Sequence, residues 1–402
     1  MRAGGIDAMA EVTEEPSARA TRSSAPAELP TRPQGRASAR GLPSQEKPSA
    51  RGARSSAPAE LPTRPQGRAR TTPGDYHAGH ATATRPRKPV TPRMPVAIED
   101  HDWTNSNTDL NASEIAHFRK HGYLVKRGLI DEPEAFRLAV DHLWKHVPHD
   151  LLDRDDPATW LSDPGEAWTD EDARRVGMLS HGGWKMRSRG EGGIGTEPFL
   201  VERIANHPNI LAVVRAFLGK PIKPVGRVRG IYAVFPKKPD APPRLGPHAD
   251  YHAAHISTMV LVHDTPPRCG GFTIWPGSHR ILHPHWDTVH GAKIAEEKRE
   301  GFADARDQVL RDITPVEFSG KAGDVIFWHG RMLHSAGINH SAETANPMVR
   351  LIVPCDYQID GQTYVDDMEF GPGPNVQWWV DTRNFAEDER TTPGNIFHGW
   401  AI

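Results

Sequence analysis

Lys321-Ala-Gly-Asp324-Val-Ile-Phe-Trp328-His329-Gly-Arg-Met-Leu-His334-Ser-Ala-Gly337-Ile-Asn339 reads as a turn, an apolar strand, and two histidines five residues apart. Comparable short runs stand on either side, each bounded by Gly or Pro: VGRVRGIYAVF from Val225, HISTMVLV from His255, GGFTIW from Gly270 and MVRLIVPCDY from Met348. Short β-branched segments divided by turn signals predict an antiparallel sandwich or barrel with helices outside it. The helices are expected mainly upstream. Asn111 followed by Glu114 has the form of a capping box opening an amphipathic helix, which Gly122 stops before a short strand at Tyr123. Glu132 to Val147 and Pro208 to Leu218 have helical apolar spacing. The charged stretch His283–Asp312 is expected to be a helical insertion, and the tail bearing Trp378, Trp379 and Trp400 to pack back on the body.

The segment Gly246-Pro-His248-Ala-Asp250-Tyr-His252 supplies the chemistry. Residues i and i+2 of a strand share a face, so His248 and Asp250 can project together into a barrel interior. With one distant histidine they complete a 2-His-1-carboxylate set, which leaves three octahedral positions on Fe(II) open. His329 and His334 both lie near a strand end and compete for the third place. His252 and His255 suit supporting or core roles, His279 and Arg280 a loop or pocket rim, and His283 with His285 an incidental zinc pair. Arg350 is one guanidinium among apolar neighbours, with no acid within four residues in sequence. Such a buried charge needs a counter-charge, either an acid distant in sequence or the carboxylate of a small molecule held bidentately. Arg227, Arg229 and Tyr232, on the strand before the His248 motif, are further candidates to touch a carboxylate.

Composition divides the 402 residues in two. Residues 1–94 carry 16 basic and 8 acidic side chains, a net of +8, and Tyr76 is their one aromatic residue among 29 in the chain. They also repeat RSSAPAELPTRPQGRA, from Arg22 to Ala37 and from Arg54 to Ala69. A Pro/Arg-rich segment without aromatics cannot bury enough apolar surface to offset chain entropy, so a disordered basic head is expected. Residues 95–402 carry 33 basic and 43 acidic residues, a net of −10, and are expected to form one globular domain. No stretch reaches the roughly 18 apolar residues of a membrane span, and the N-terminus has no apolar signal region. Two cysteines, Cys269 and Cys355, exclude a disulfide framework, which points to a reducing, cytoplasmic setting.

Taken together, GPHADYH, CGGFTIWPGSHR (Cys269–Arg280), KAGDVIFWHGRMLHSAGIN and Arg350, preceded by ASEIAHFRKHGYLVKRGLI, resemble the phytanoyl-CoA dioxygenase family over roughly residues 110 to 357. The resemblance implies a mostly β fold with flanking helices, the double-stranded β-helix or cupin-like jelly roll. It also implies a non-haem oxygenase using Fe(II), 2-oxoglutarate and O2. It assigns the metal ligands to His248, Asp250 and His334, and the 2-oxoglutarate arginine to Arg350. Two departures accompany it: Ser335-Ala336 follows the distal histidine in an unusual order, and the gap to Arg350 is lengthened around Ala342–Ala345. Segments 150–197 and 283–312 have no counterpart in the family and are expected to form a pocket lid. The implied reaction is hydroxylation of a small organic molecule with release of succinate and CO2. Isomerase, desaturase and demethylase outcomes share the same centre, while Asp250 disfavours halogenation. The contrasting reading is a cupin-like metal-binding protein without turnover. A small-molecule substrate is expected as partner; a membrane is excluded and nucleic acid disfavoured.

Overall fold

The capping box at Asn111 forms as its sequence dictates. The Asn111 side chain accepts from the Glu114 amide at 2.9 Å, and the Glu114 carboxylate accepts from the Asn111 amide at 3.0 Å. Gly122 then closes the helix in the left-handed region at φ 80°, where a Cβ would also overlap the His279 ring. The computed structural model describes residues 87–99, 108–147, 149–161, 176–178, 184–188, 194–250, 254–285, 296–360 and 394–402. The repeat-bearing segment up to residue 86, His252, Trp378 and Trp379 lie outside them.

In chain order the elements are β1 (Val96–Ala97), α1 (Ala112–His121), β2 (Tyr123–Lys126), α2 (Pro133–Lys145), β3 (Val176–Met178), β4 (Trp184–Ser188), α3 (Pro208–Leu218), β5 (Ile231–Val234), β6 (Ile256–Leu261), β7 (Phe272–Ile274), α4 (Ser278–Leu282), α5 (Glu296–Asp312), β8 (Val316–Phe318), β9 (Val325–His329), β10 (His334–Ala336) and β11 (Arg350–Tyr357). Eleven strands with helices around them make the described fold mostly β, as expected. They form two sheets, ordered β1-β8-β7-β10 and β2-β9-β6-β11-β5-β4-β3. All pairings are antiparallel except β1 with β8.

Strand alternation decides which side chains enter the space between the sheets. From β9, Ile326 and Trp328 join Phe272, Ile274 and Phe318 of the smaller sheet in one apolar cluster. Val325 and Phe327 point the other way, into a larger cluster with Phe118, Phe136 and Val213 of α1, α2 and α3. β6 and β11 divide likewise, with Met259, Leu261 and Ile352 inward and Val260, Leu351 and Val353 outward. The same alternation places Ser257, Arg350 and Asp356 on the inner face, and His329 on the outer one. A third cluster joins Trp275, Leu282, Phe302 and Val309 to Leu245 and Leu333, just before His248 and His334.

Three sequence expectations change in detail. Segment 150–197 holds β3 and β4, which extend the larger sheet beyond β5. Val176-Gly-Met and Trp184-Lys-Met-Arg-Ser carry few β-branched residues and no clean alternation, so their strand character is hidden. Contacts with the body begin upstream of residue 95: Arg87 pairs with Glu300 at 2.6 Å, Asp304 at 2.7 Å and Asp307 at 3.1 Å on α5. Part of 283–312 is indeed helical as α5, although Phe302, Val309 and Leu310 bury it in the third cluster. Trp400 packs back as expected, on Phe118 and His329. Among the described residues no helix is long and apolar enough to cross a membrane.

Candidate metal centre

His248 is not part of a regular strand. It makes a single antiparallel bridge to His334, each amide donating to the other's carbonyl at 2.9 Å. Pro247 has no amide to donate, and the Gly246 amide goes to Ser335 Oγ at 3.2 Å, so a ladder cannot propagate. The bridge does what the i, i+2 spacing could not, and joins the distal histidine to the motif. It brings the two imidazoles to 4.4 Å between centroids. Asp250 adds Oδ1 at 3.9 Å from His248 Nε2, and Oδ2 at 3.4 Å from His334 Nε2. The ligand atoms of His248, Asp250 and His334 all lie within 4.8 Å of one another.

Both rings are oriented by backbone. His248 Nδ1–H donates to Gly246 O at 2.9 Å and His334 Nδ1–H to Met332 O at 3.0 Å. Carbonyl oxygens only accept, so each Nδ1 carries a proton and each Nε2 is turned to the cluster. Two imidazole nitrogens and one carboxylate suit a divalent transition metal. Behind His334, the rings of Trp328 and Phe272 lie at 4.6 and 5.5 Å. The His334 side chain is 5% exposed against 16% and 15% for His248 and Asp250, so His334 is the most deeply buried of the three.

Arg229, a candidate in the sequence alongside Arg227 and Tyr232, is in contact with this cluster. Its Nη1 donates to Asp250 Oδ2 at 2.5 Å, while Nε and Nη2 each donate to Asp356 at 2.6 Å. Asp356 Oδ1 also accepts from Ser257 Oγ at 2.6 Å. Asp356 and Ser257 were not singled out in the sequence. The only signal was an acid inside the apolar run MVRLIVPCDY.

Arg350 is buried on the inner face at the start of β11. Its Nε donates to Gly270 O at 2.5 Å and Nη1 to Tyr232 O at 3.2 Å. No carboxylate among the described residues makes an ion pair with it. Burial pulls its pKa down to about 9, and Glu317 opposes this from a distance. The Glu317 carboxylate is itself occupied by the amides of Arg268 and Gly271. The lengthened gap before Arg350 is absorbed by a 3-10 turn at Ser341–Glu343, pinned where Asn339 Nδ2 donates to Val234 O and Met348 O.

The remaining histidines do other work. His329 Nε2–H donates to Ile396 O at 3.2 Å and its Nδ1 accepts from the Arg331 amide at 3.1 Å, so both ring nitrogens are used away from the cluster. Its ring stacks on Trp400 at 5.3 Å, and burial holds its pKa well below the usual histidine value. Burial pushes His255 and His279 down to about 3, in core positions. His283 Nε2 lies 2.8 Å from Asn395 Oδ1, in the C-terminal segment.

A family model described as phytanoyl-CoA dioxygenase matches residues 118–346. A search of curated proteins finds no match. Among solved structures the chain is similar to the non-heme alpha ketoglutarate dependent carbocyclase SnoK from nogalamycin biosynthesis, at 18% identity and a TM-score of 0.41, over 67% of this chain and 88% of that one. It is also similar to HygX from Streptomyces hygroscopicus, determined with nickel, 2-oxoglutarate and hygromycin B (18% identity, TM-score 0.37, 69% and 99% coverage). A third is EctD from S. alaskensis with 2-oxoglutarate and 5-hydroxyectoine (18%, 0.39, 70% and 86%). These overlaps are loose.

Proposed function

The chain belongs to the phytanoyl-CoA dioxygenase family, and from that premise we propose that it hydroxylates a small organic molecule at a centre held by His248, Asp250 and His334. The family is Fe(II)- and 2-oxoglutarate-dependent and uses O2. The two sheets enclosing one apolar cluster are read as the double-stranded β-helix, or jelly roll, of such enzymes. The observation that carries the reading is the convergence of three ligand-type side chains, two from the His248–Asp250 segment and one from β10, on one point, with both Nδ1–H groups tied back to backbone. When bound, iron and 2-oxoglutarate supply the oxidising power, with O2 reduced as the cosubstrate becomes succinate and CO2.

The chain's own residues do the rest. His248 and His334 offer Nε2 lone pairs, and Asp250 offers a charge that offsets one unit of the metal's. Asp250 also fills the corner that a halide would need, which disfavours halogenation. Arg350 receives the distal carboxylate of 2-oxoglutarate through charge-assisted donors, in a site where a cation without an ion-pair partner is costly. Trp328 and Phe272 keep water from the back of His334. The net −10 of residues 95–402 disfavours a polyanionic CoA thioester as the substrate.

The test is anaerobic titration of the purified chain with Fe(II) and 2-oxoglutarate, followed by O2 and a substrate panel. A visible charge-transfer band and succinate formed in step with oxidised substrate are expected, both lost in Asp250→Ala. Absence of the band in the wild-type chain refutes the reading.

A further inference from the structure

Asp250 is one end of a buried chain of charges. Arg229 spans two carboxylates, with its Nε and Nη2 edge on Asp356 and Nη1–H on Asp250 Oδ2. The Arg229 side chain is 5% exposed and that of Asp356 3%, so neither charge is eased by solvent. A planar guanidinium forks onto one carboxylate bidentately, and here that partner is Asp356, further oriented by Ser257 Oγ. Asp250 Oδ2 shares the same cation through Nη1.

We propose that Arg229 is a positioning residue for the metal centre: it occupies Asp250 Oδ2 so that this carboxylate meets a metal through Oδ1 alone, and Asp356 sets how strongly Arg229 competes. The inference rests on the reading of His248, Asp250 and His334 as metal ligands. A carboxylate bound through both oxygens takes two coordination positions instead of one. A bidentate cosubstrate and O2 together need the three positions that a one-oxygen carboxylate leaves. Removing Arg229 frees Asp250 from a rival cation while letting it close over the metal with both oxygens. Removing the charge of Asp356 does the reverse, because Arg229 then falls wholly to Asp250. A simple structural brace would weaken alike when either side is cut.

Co(II) is the probe, titrated into the full-length metal-free chain and into Arg229→Gln, Asp356→Asn, Ser257→Ala and the Arg229→Gln/Asp356→Asn double variant. Co(II) affinity, the d–d spectrum, 2-oxoglutarate binding to the Co(II) form and metal-free melting temperature are measured together. Arg229→Gln is expected to bind Co(II) at least threefold more tightly, with an altered d–d spectrum and 2-oxoglutarate weakened at least tenfold. Asp356→Asn is expected to bind Co(II) at least tenfold more weakly, and the double variant to return within threefold of wild type. Ser257→Ala should follow Asp356→Asn by a smaller factor, which keeps the test alive if a charge variant does not fold. Both single variants weakening Co(II) in step with their melting temperatures, or neither moving it, overturns the proposal. Failure of the wild-type chain to bind Co(II) instead defeats the ligand reading on which it rests.

Discussion

His329 and His334 are five residues apart, and cutting each to alanine separates packing from metal binding. His329 lies 4% exposed on the outer face of the larger sheet. Its loss removes the bond to Ile396 O, strands the Arg331 amide, and takes away the ring stacked on Trp400 at 15°. Two hydrogen bonds at about 1 kcal/mol each and an aromatic contact of about 1 kcal/mol give a loss of roughly 3 kcal/mol before cavity terms. In a body of this size that lowers Tm by on the order of 5–10 °C. Metal affinity should stay within a few-fold of wild type, since the ring faces away from the cluster. His334→Ala removes one of three ligands and should lose metal by about two orders of magnitude, whatever its Tm does. Differential scanning calorimetry and iron content are compared at equal folded protein by circular dichroism. Metal loss in His329→Ala with retention in His334→Ala would refute the face assignment and the ligand reading together.

Arg350→Ala is expected to raise the 2-oxoglutarate requirement at least tenfold while Fe(II) still binds, because a charge-assisted bidentate contact is worth more than about 1.4 kcal/mol; normal cosubstrate binding by isothermal titration would move the anchor elsewhere. Deleting residues 1–86 should leave Tm unchanged, whereas deleting 1–94 cuts Arg87 from Glu300, Asp304 and Asp307 and should lower it measurably; equal Tm in the two truncations would deny that tether a role. The buried imidazoles also predict acid lability. His255 and His279 sit at about 3, and His329 well below the usual value, against about 6.5 in an unfolded chain. Unfolding then takes up protons below pH 6.5. Stability is whole above that pH and falls through the window toward 3, by up to about 1.4 kcal/mol per unit for each ring. A urea midpoint unchanged between pH 7.5 and 4.5 would contradict this.

What the sequence discloses follows how local its causes are. The Asn111–Glu114 box and the helix over Pro208–Leu218 are set by neighbours three or four residues apart, and both appear where expected. The apolar runs became strands β5, β6, β7, β9 and β11, since β-branched segments between turns have few alternatives. The order of those strands is another matter. Nothing near Ile256 in sequence says that β6 will lie between β9 and β11, because that choice is made by pairings 65 to 101 residues distant. His248 and Asp250 were legible as a pair. Arg229 and Asp356 are 127 positions apart, so the carboxylate that claims Arg229 could be found only in the folded chain.

The inner face of the larger sheet is apolar through Met259, Leu261, Ile326, Trp328 and Ile352, yet Ser257, Arg350 and Asp356 interrupt it. Stability alone gives no reason for this, since replacing a buried ion pair by well-packed apolar residues is often neutral or stabilising. Nor do the charges complete one another inside the protein. Arg229 and Asp356 pair bidentately, but Arg229 also reaches Asp250, and Arg350 meets only carbonyl oxygens and a distant Glu317. Asp250 presents its carboxylate to the His248 and His334 imidazoles, and no carboxylate among the described residues pairs with Arg350. On the proposed reading, a divalent cation would answer the first and the carboxylate of a cosubstrate the second, which gives these interior charges a use that stability alone does not.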